Sequence, residues 1–67
     1  MKIKVIYPYQ KELEIEQAMT LRELLNFLDI SYDEVLVLKN NAGIVNDLDF
    51  VLGKDDFIQV LPILSGG

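Results

Sequence analysis

Between residues 20 and 30 the chain carries the periodicity of one amphipathic helix, and on either side of it the pattern is that of β-strand. Leu21, Leu24, Leu25 and Leu28 recur at i, i+3, i+4 and i+7, the spacing that gathers them into a single apolar stripe. Thr20-Leu21-Arg22-Glu23 has the form of a capping box, with Thr20 as N-cap and Glu23 at N3. Phe27 lies beside the stripe and is expected to pack at its margin. The helix is expected to end near Asp29-Ile30, after about ten residues. Such a stripe must be buried against another element, and the flanking strands supply a sheet.

Lys2-Ile3-Lys4-Val5-Ile6-Tyr7 alternates as a strand with Ile3, Val5 and Tyr7 on one face, while Ile6 adds an apolar residue to the other. Pro8 stops it, and Tyr9-Gln10 makes a short turn. Lys11 to Glu16 alternates more strictly, with Leu13 and Ile15 inward and Glu12, Glu14 and Glu16 outward. The two strands read as an antiparallel hairpin, and the glutamates mark an edge that resists association. After a polar connection at Ser31-Tyr32-Asp33-Glu34, Val35-Leu36-Val37-Leu38 reads as a central strand with both faces at least partly covered. Asn40-Asn41-Ala42-Gly43 is a turn, since Asn and Gly tolerate positive φ. Ile44-Val45 is a candidate short strand, and Phe50-Val51-Leu52 is expected to be a loop or helical turn tucking an aromatic under the sheet. Gly53 to Asp56 is a tight turn, and Phe57 to Leu61 is the last strand, with Ile58 and Val60 inward. The order is ββαβ(β)β: an α+β fold with one main helix on a mixed sheet of four to five strands. The first and last strands have no short connection to each other, so they can pair in parallel at the sheet centre. That arrangement is the β-grasp, here assigned to residues 1–62, with 63–67 as a flexible tail.

Sixty-seven residues allow one domain, which buries only ~60% of its unfolded surface and must use its core economically. A hydrophobic fraction of 51% argues for a folded chain. With no cysteine and no histidine, disulfides, thiolate metal sites, and Ser-His or Cys-His catalysis are excluded. The net charge of -5 disfavours nucleic acid and anionic membranes as partners and suits a basic protein surface. No signal peptide and no run of ~20 apolar residues is legible, so a cytoplasmic monomer is expected.

Asp47, Asp49, Asp55 and Asp56 invite a cation-site reading. Started at Asp47, however, the calcium-loop pattern meets Val51, Leu52 and Ile58 at its fifth, sixth and twelfth positions, and the aspartates are better read as turn formers. Glu12, Glu14 and Glu16 stand on an exposed strand face with no cleft for acid–base work, and a domain this small can hardly enclose a substrate. Ile6, Leu61 and one of Leu36 or Leu38 should lie on the sheet face away from the helix. An apolar patch there, on a highly charged chain, reads as a docking surface.

The remaining feature is the tail, Pro62-Ile63-Leu64-Ser65-Gly66-Gly67. A terminal Gly-Gly arises by chance in about one chain in two hundred at a glycine usage of ~7%. The bland reading is a frayed end, yet this tail follows directly on a core strand, anchored at its base and free at its tip. Gly66 and Gly67 lack Cβ atoms and can pass through a narrow channel. A free carboxylate is a poor electrophile, and an acyl-adenylate formed from ATP in a partner's site would activate it.

At these residues the chain resembles the ThiS/MoaD family of ubiquitin-like sulfur carriers. The resemblance follows the whole element order and is most specific from Lys54 to Gly67. Lys54-Asp55-Asp56 replaces the family's Asp-Gly-Asp turn without its glycine. Asn40-Asn41 with Ile44-Val45 resembles its Asn-Gly-x-Ile/Val segment, with Gly43 displaced. The resemblance implies a carrier and not an enzyme. An E1-like adenylating enzyme using ATP and Mg would adenylate the Gly67 carboxylate, and a sulfur donor protein would help convert it to a thiocarboxylate. A sulfur-accepting synthase would then take the sulfur. Pro62, Ile63, Leu64, Ser65 and Gly66 would thread into the activating enzyme, with Ile6 and Leu61 docking against it. The length and short middle section lean toward the thiamine-thiazole branch over the molybdopterin branch, and other acceptors stay open. A protein modifier joined through Gly67 to lysines shares the same fold and tail, and a β-grasp binding module with an inert tail is a third reading.

Overall fold

The computed structural model describes residues 1–64. The strands are β1 (Lys2–Val5), β2 (Lys11–Glu14), β3 (Met19–Thr20), β4 (Val35–Lys39), β5 (Gly43–Ile44), β6 (Val51–Leu52) and β7 (Phe57–Pro62). The helix α1 (Leu21–Leu28) follows β3, and a 3₁₀ turn, Tyr32–Glu34, leads into β4. A five-stranded mixed sheet has the order β2-β1-β7-β4-β5, and β3 pairs with β6 in a separate two-stranded ribbon. β1 and β7 are parallel, Ile3 beside Ile58 and Val5 beside Val60, and the other pairings in the sheet are antiparallel. The β-grasp order read from the sequence is present, with β5 as the fifth strand of the sheet. Among the described residues no helix is long and apolar enough to cross a membrane.

Strand alternation and helical stripe meet in one core. Ile3, Val5, Val37, Ile58 and Val60 are buried on one face of the sheet, and Leu21, Leu24, Leu25 and Leu28 are buried against it from α1. Met1, Ile30, Val35, Val45 and Leu52 complete this buried cluster. The helix owes its start to side chain and backbone together. Thr20 Oγ1 accepts from the Glu23 N–H at 3.1 Å, and Glu23 Oε1 accepts from the Thr20 N–H at 2.9 Å, so the capping box is complete. The next unpaired donors are met from a distant segment: Leu21 N–H donates to the Phe50 carbonyl and Arg22 N–H to that of Leu48, at 3.0 and 2.9 Å. At the other end Asp29 takes a left-handed φ of 59°. Ile30 N–H reaches back to the Leu25 carbonyl and Asp29 N–H to that of Asn26, which is a Schellman termination. Tyr9 Oη donates to the Leu28 carbonyl at 2.6 Å and satisfies another acceptor of the last turn. The helix therefore stops at Leu28, slightly short of the expected end.

Three sequence expectations are corrected. Tyr7 does not join Ile3 and Val5 on the inner face; it is exposed, and β1 ends at Val5. The N–H groups of Ile6 and Tyr7 both converge on the Val60 carbonyl, at 2.9 and 3.3 Å, and two residues against one acceptor break the alternation. Phe27 does not pack at the margin of the stripe but is 65% exposed, because the four leucines already fill the contact with the sheet. The segment at Phe50-Val51-Leu52 is neither loop nor helical turn: β6 pairs Val51 with Thr20 and Leu52 with Met19. The residue it sends under the sheet is Leu52, not the aromatic, and the Phe50 ring lies 5.2 Å from the Lys39 ammonium. The helix N-terminus draws in the carbonyls of Leu48 and Phe50, and that long-range bond sets which side chain turns inward.

The contrast between stripe and margin is measurable. Leu24→Ala should cost about 2–5 kcal/mol of stability in urea unfolding, since the side chain is fully enclosed. Phe27→Ala should stay within about 0.5 kcal/mol.

Candidate functional site

Everything that holds the root of the tail belongs to the sheet. In the β4–β7 ladder Leu61 stands opposite Leu36 and Pro62 opposite Val35. β7 thus runs one residue past the expected end at Leu61. Pro62 has no N–H to offer, and Val35 sends its own N–H to the Tyr32 carbonyl, so the pair asks for no ladder bond that the proline would lack. Of the residues expected to thread, Pro62 is therefore part of the sheet, while Ile63 is 51% and Leu64 89% exposed just beyond it. Ile63 borders a shallow groove of about 250 Å³ lined by Tyr32, Val35, Leu36, Ile44 and Val45. Ser65, Gly66 and Gly67, the rest of the expected tail and its attachment point, lie outside the described residues.

The sheet face turned away from α1 is uncovered. By strand alternation it carries Leu36 and Leu38 from β4, and Phe57, Gln59 and Leu61 from β7, all half-buried. Ile6, next after the inward Val5, shares this face, and its N–H donates to the Val60 carbonyl. Both leucines of β4 are present, where one was expected. Ile44 is 59% exposed and joins the face opposite Leu38, a member that sequence reasoning missed. Its place depends on the β4–β5 register, which no local spacing reveals. Along the flank Lys2 is opposite Glu14 and Lys4 opposite Glu12, which matches unlike charges directly across the strands.

One polar atom interrupts this face. The amide oxygen of Gln59 is shielded from solvent with no hydrogen-bond partner among the described residues. Such an acceptor costs a folded chain about 1–3 kcal/mol.

The two segments that depart from the family pattern meet in space. Asn40 and Asn41 take left-handed φ values of 53° and 55°, and Ala42 N–H closes the turn on the Lys39 carbonyl at 3.0 Å. Positive φ at two successive central positions is the signature of a type I′ turn, so the asparagines do the work a glycine would do. The displaced Gly43 is not needed for it: its φ is ordinary and an added Cβ would meet nothing within 4 Å. Asn40 then pins the start of β7. Its Oδ1 accepts from the Phe57 N–H at 2.7 Å and its Nδ2 donates to Asp56 Oδ1 at 3.0 Å. Asp56 Oδ2 accepts from the Gly53 N–H at 2.8 Å, with the Lys39 ammonium 3.9 Å away. Asp47 is likewise occupied as a turn former, accepting from the Asp49 N–H at 2.9 Å.

The hydrogen bond from Asn40, then that from Gly53 N–H, hold the Asp56 carboxyl below its ordinary pKa of 3.8; burial opposes them and Lys39 assists them. A folded pKa below the unfolded one means that Asp56 contributes stability above pH 3.8 and loses it as pH falls through the folded value. Acid titration of unfolding should therefore show a steeper loss in the wild type than in Asp56→Asn below about pH 4. At neutral pH the variant should be the less stable of the two.

Among the described residues, terminal strands paired in parallel, one covering helix, and Ile63 and Leu64 exposed beyond the central strand define a β-grasp protein. Comparison with known proteins narrows this. A thiamine biosynthesis protein (ThiS) from Geobacter metallireducens has the same fold, with a TM-score of 0.66 at 20% sequence identity and 100% of each chain covered. The ThiS family model matches residues 2–67, and the chain belongs to that family.

Proposed function

We propose that this chain is a sulfur carrier whose Gly67 carboxylate is the reacting group. Membership of the ThiS family across residues 2–67, with Gly-Gly at the end of that match, is the observation that carries the reading. An E1-like enzyme holding MgATP would accept the tail. A carboxylate oxygen attacks the α-phosphorus and pyrophosphate departs, leaving an acyl-adenylate. Sulfur at the sulfide level, brought by a donor protein, then attacks the acyl carbon and displaces AMP to give a thiocarboxylate. Transfer of that sulfur to an accepting synthase, with water supplying the replacing oxygen, returns the carboxylate. Adenylation is needed because AMP is a far better leaving group than oxide. All of the nucleotide chemistry belongs to the partner, and the chain acts as co-substrate, not as enzyme.

The structure supports the mechanical part of this reading. The stalk begins at Ile63 and Leu64, both well exposed, immediately after a strand held on both sides. Its root is therefore positioned while its side chains are available to a channel wall, with Ser65, Gly66 and Gly67 leading and Pro62 at the base. The open face bearing Ile6 and Leu61 lies beside that root and would dock the activating enzyme. A monomer in the cytoplasm, where ATP is at hand, keeps this face free. The thiamine-thiazole pathway is favoured over molybdopterin by the short middle section and by the likeness to a thiamine biosynthesis protein.

Intact-mass analysis of the protein from its native host, under thiol-free conditions, tests this directly. The expected result is a species heavier by exchange of one oxygen for sulfur, abolished when Gly67 is deleted. Gly-Gly remnants on lysines of other proteins, without that species, would replace the carrier reading with that of a protein modifier.

A further inference from the structure

Gln59 is the one neutral polar side chain in the part of the open face that β7 and β4 build. Lys4 and Leu38 stand on either side of it in register, and Phe57 and Leu61 lie two residues away along the strand. Its amide oxygen is shielded and unpartnered among the described residues, although the side chain as a whole is only half-buried. An acceptor without a donor is unfavourable in the free protein and stays so under any partner whose contact surface is apolar throughout. A partner that brings an N–H or O–H group to that point relieves it. A contact built this way discriminates against surfaces lacking the group more sharply than apolar fit alone can.

We propose that Gln59 is a specificity-determining residue for docking to the activating enzyme, its amide oxygen accepting a hydrogen bond from a donor set in an otherwise apolar contact surface. The inference rests on the carrier reading. Lys4, directly across from Gln59, is exposed, and its flexible side chain can yield as the donor enters. Once the surrounding leucines and Phe57 are covered, water is excluded and the bond forms where its loss is felt in full. Gln59 takes no part in the chemistry at the carboxylate, so its contribution belongs to binding and not to turnover.

Two substitutions separate the acceptor from the bulk of the side chain. Gln59→Met keeps the length and removes the acceptor, whereas Gln59→Glu keeps an acceptor. Each is assayed with the E1-like adenylating enzyme of the same host and MgATP, by carrier-dependent exchange of pyrophosphate into ATP. For Gln59→Met the KM for the carrier should rise about tenfold with kcat unchanged. Its thermal unfolding midpoint should be unchanged or raised, because an orphaned acceptor has been removed. Gln59→Glu should stay within about threefold of wild type, since the hydrogen bond is retained. An unchanged or lowered KM for Gln59→Met overturns the proposal. A tenfold rise in both variants does so too, and a lowered unfolding midpoint would assign the amide to folding instead. A wild-type chain that supports no exchange overturns the carrier reading itself, a result distinct from any pattern among the variants.

Discussion

The parallel pairing of β1 with β7 holds the rest of the molecule in place. It lays the first and last strands side by side at the centre of the sheet, with Ile3, Val5, Ile58 and Val60 all buried in one layer. Two parallel neighbours cannot be joined by a tight turn, so the chain between them must leave the sheet and return. It uses that excursion to build β2 outside β1, α1 across the inner face and β4 outside β7. The helix is too short to be stable alone in water and persists because its leucine stripe closes over those paired strands.

The same pairing positions the root of the tail. The tail is the continuation of a central strand, flanked by β1 on one side and β4 on the other. A stalk that grew from an edge strand would inherit the edge's freedom, whereas this one leaves from an element bonded on both sides. Asn40 and Asp56 reinforce the opposite end of β7, tying its first residue to the β4–β5 turn and to the Gly53 turn. The strand is held at its start by polar side chains, along its length by buried aliphatics, and near its end by Leu36 and Val35.

The two faces of the sheet divide the work. One is spent on the helix and the core. The other combines apolar side chains, a flank of matched charges and the amide oxygen of Gln59, unpartnered among the described residues, beside the root of the tail. A domain of this size has too little interior to enclose a substrate, which leaves its surface for contacts with other molecules.

The sequence by itself determined what depends on near neighbours. The capping box at Thr20 and Glu23, the leucine stripe of α1, the inward pair Ile58 and Val60, and the asparagine turn at residues 40 and 41 are set by rotamer, spacing and backbone preference within a few residues. The family was legible too, in the resemblance that runs from Lys54 to Gly67. Only the tertiary structure decided what depends on register and on bonds across the chain. Tyr7 left the inner face because two N–H groups share the Val60 carbonyl. Leu52 took the place expected for Phe50 because the helix N-terminus bonds the carbonyls of Leu48 and Phe50. Ile44 reached the open face through its pairing with Leu38, and Asn40 met Asp56 across 16 residues. In each case a hydrogen bond between distant segments fixed an orientation that local alternation leaves free, because alternation says which residues share a face but not where the alternation stops.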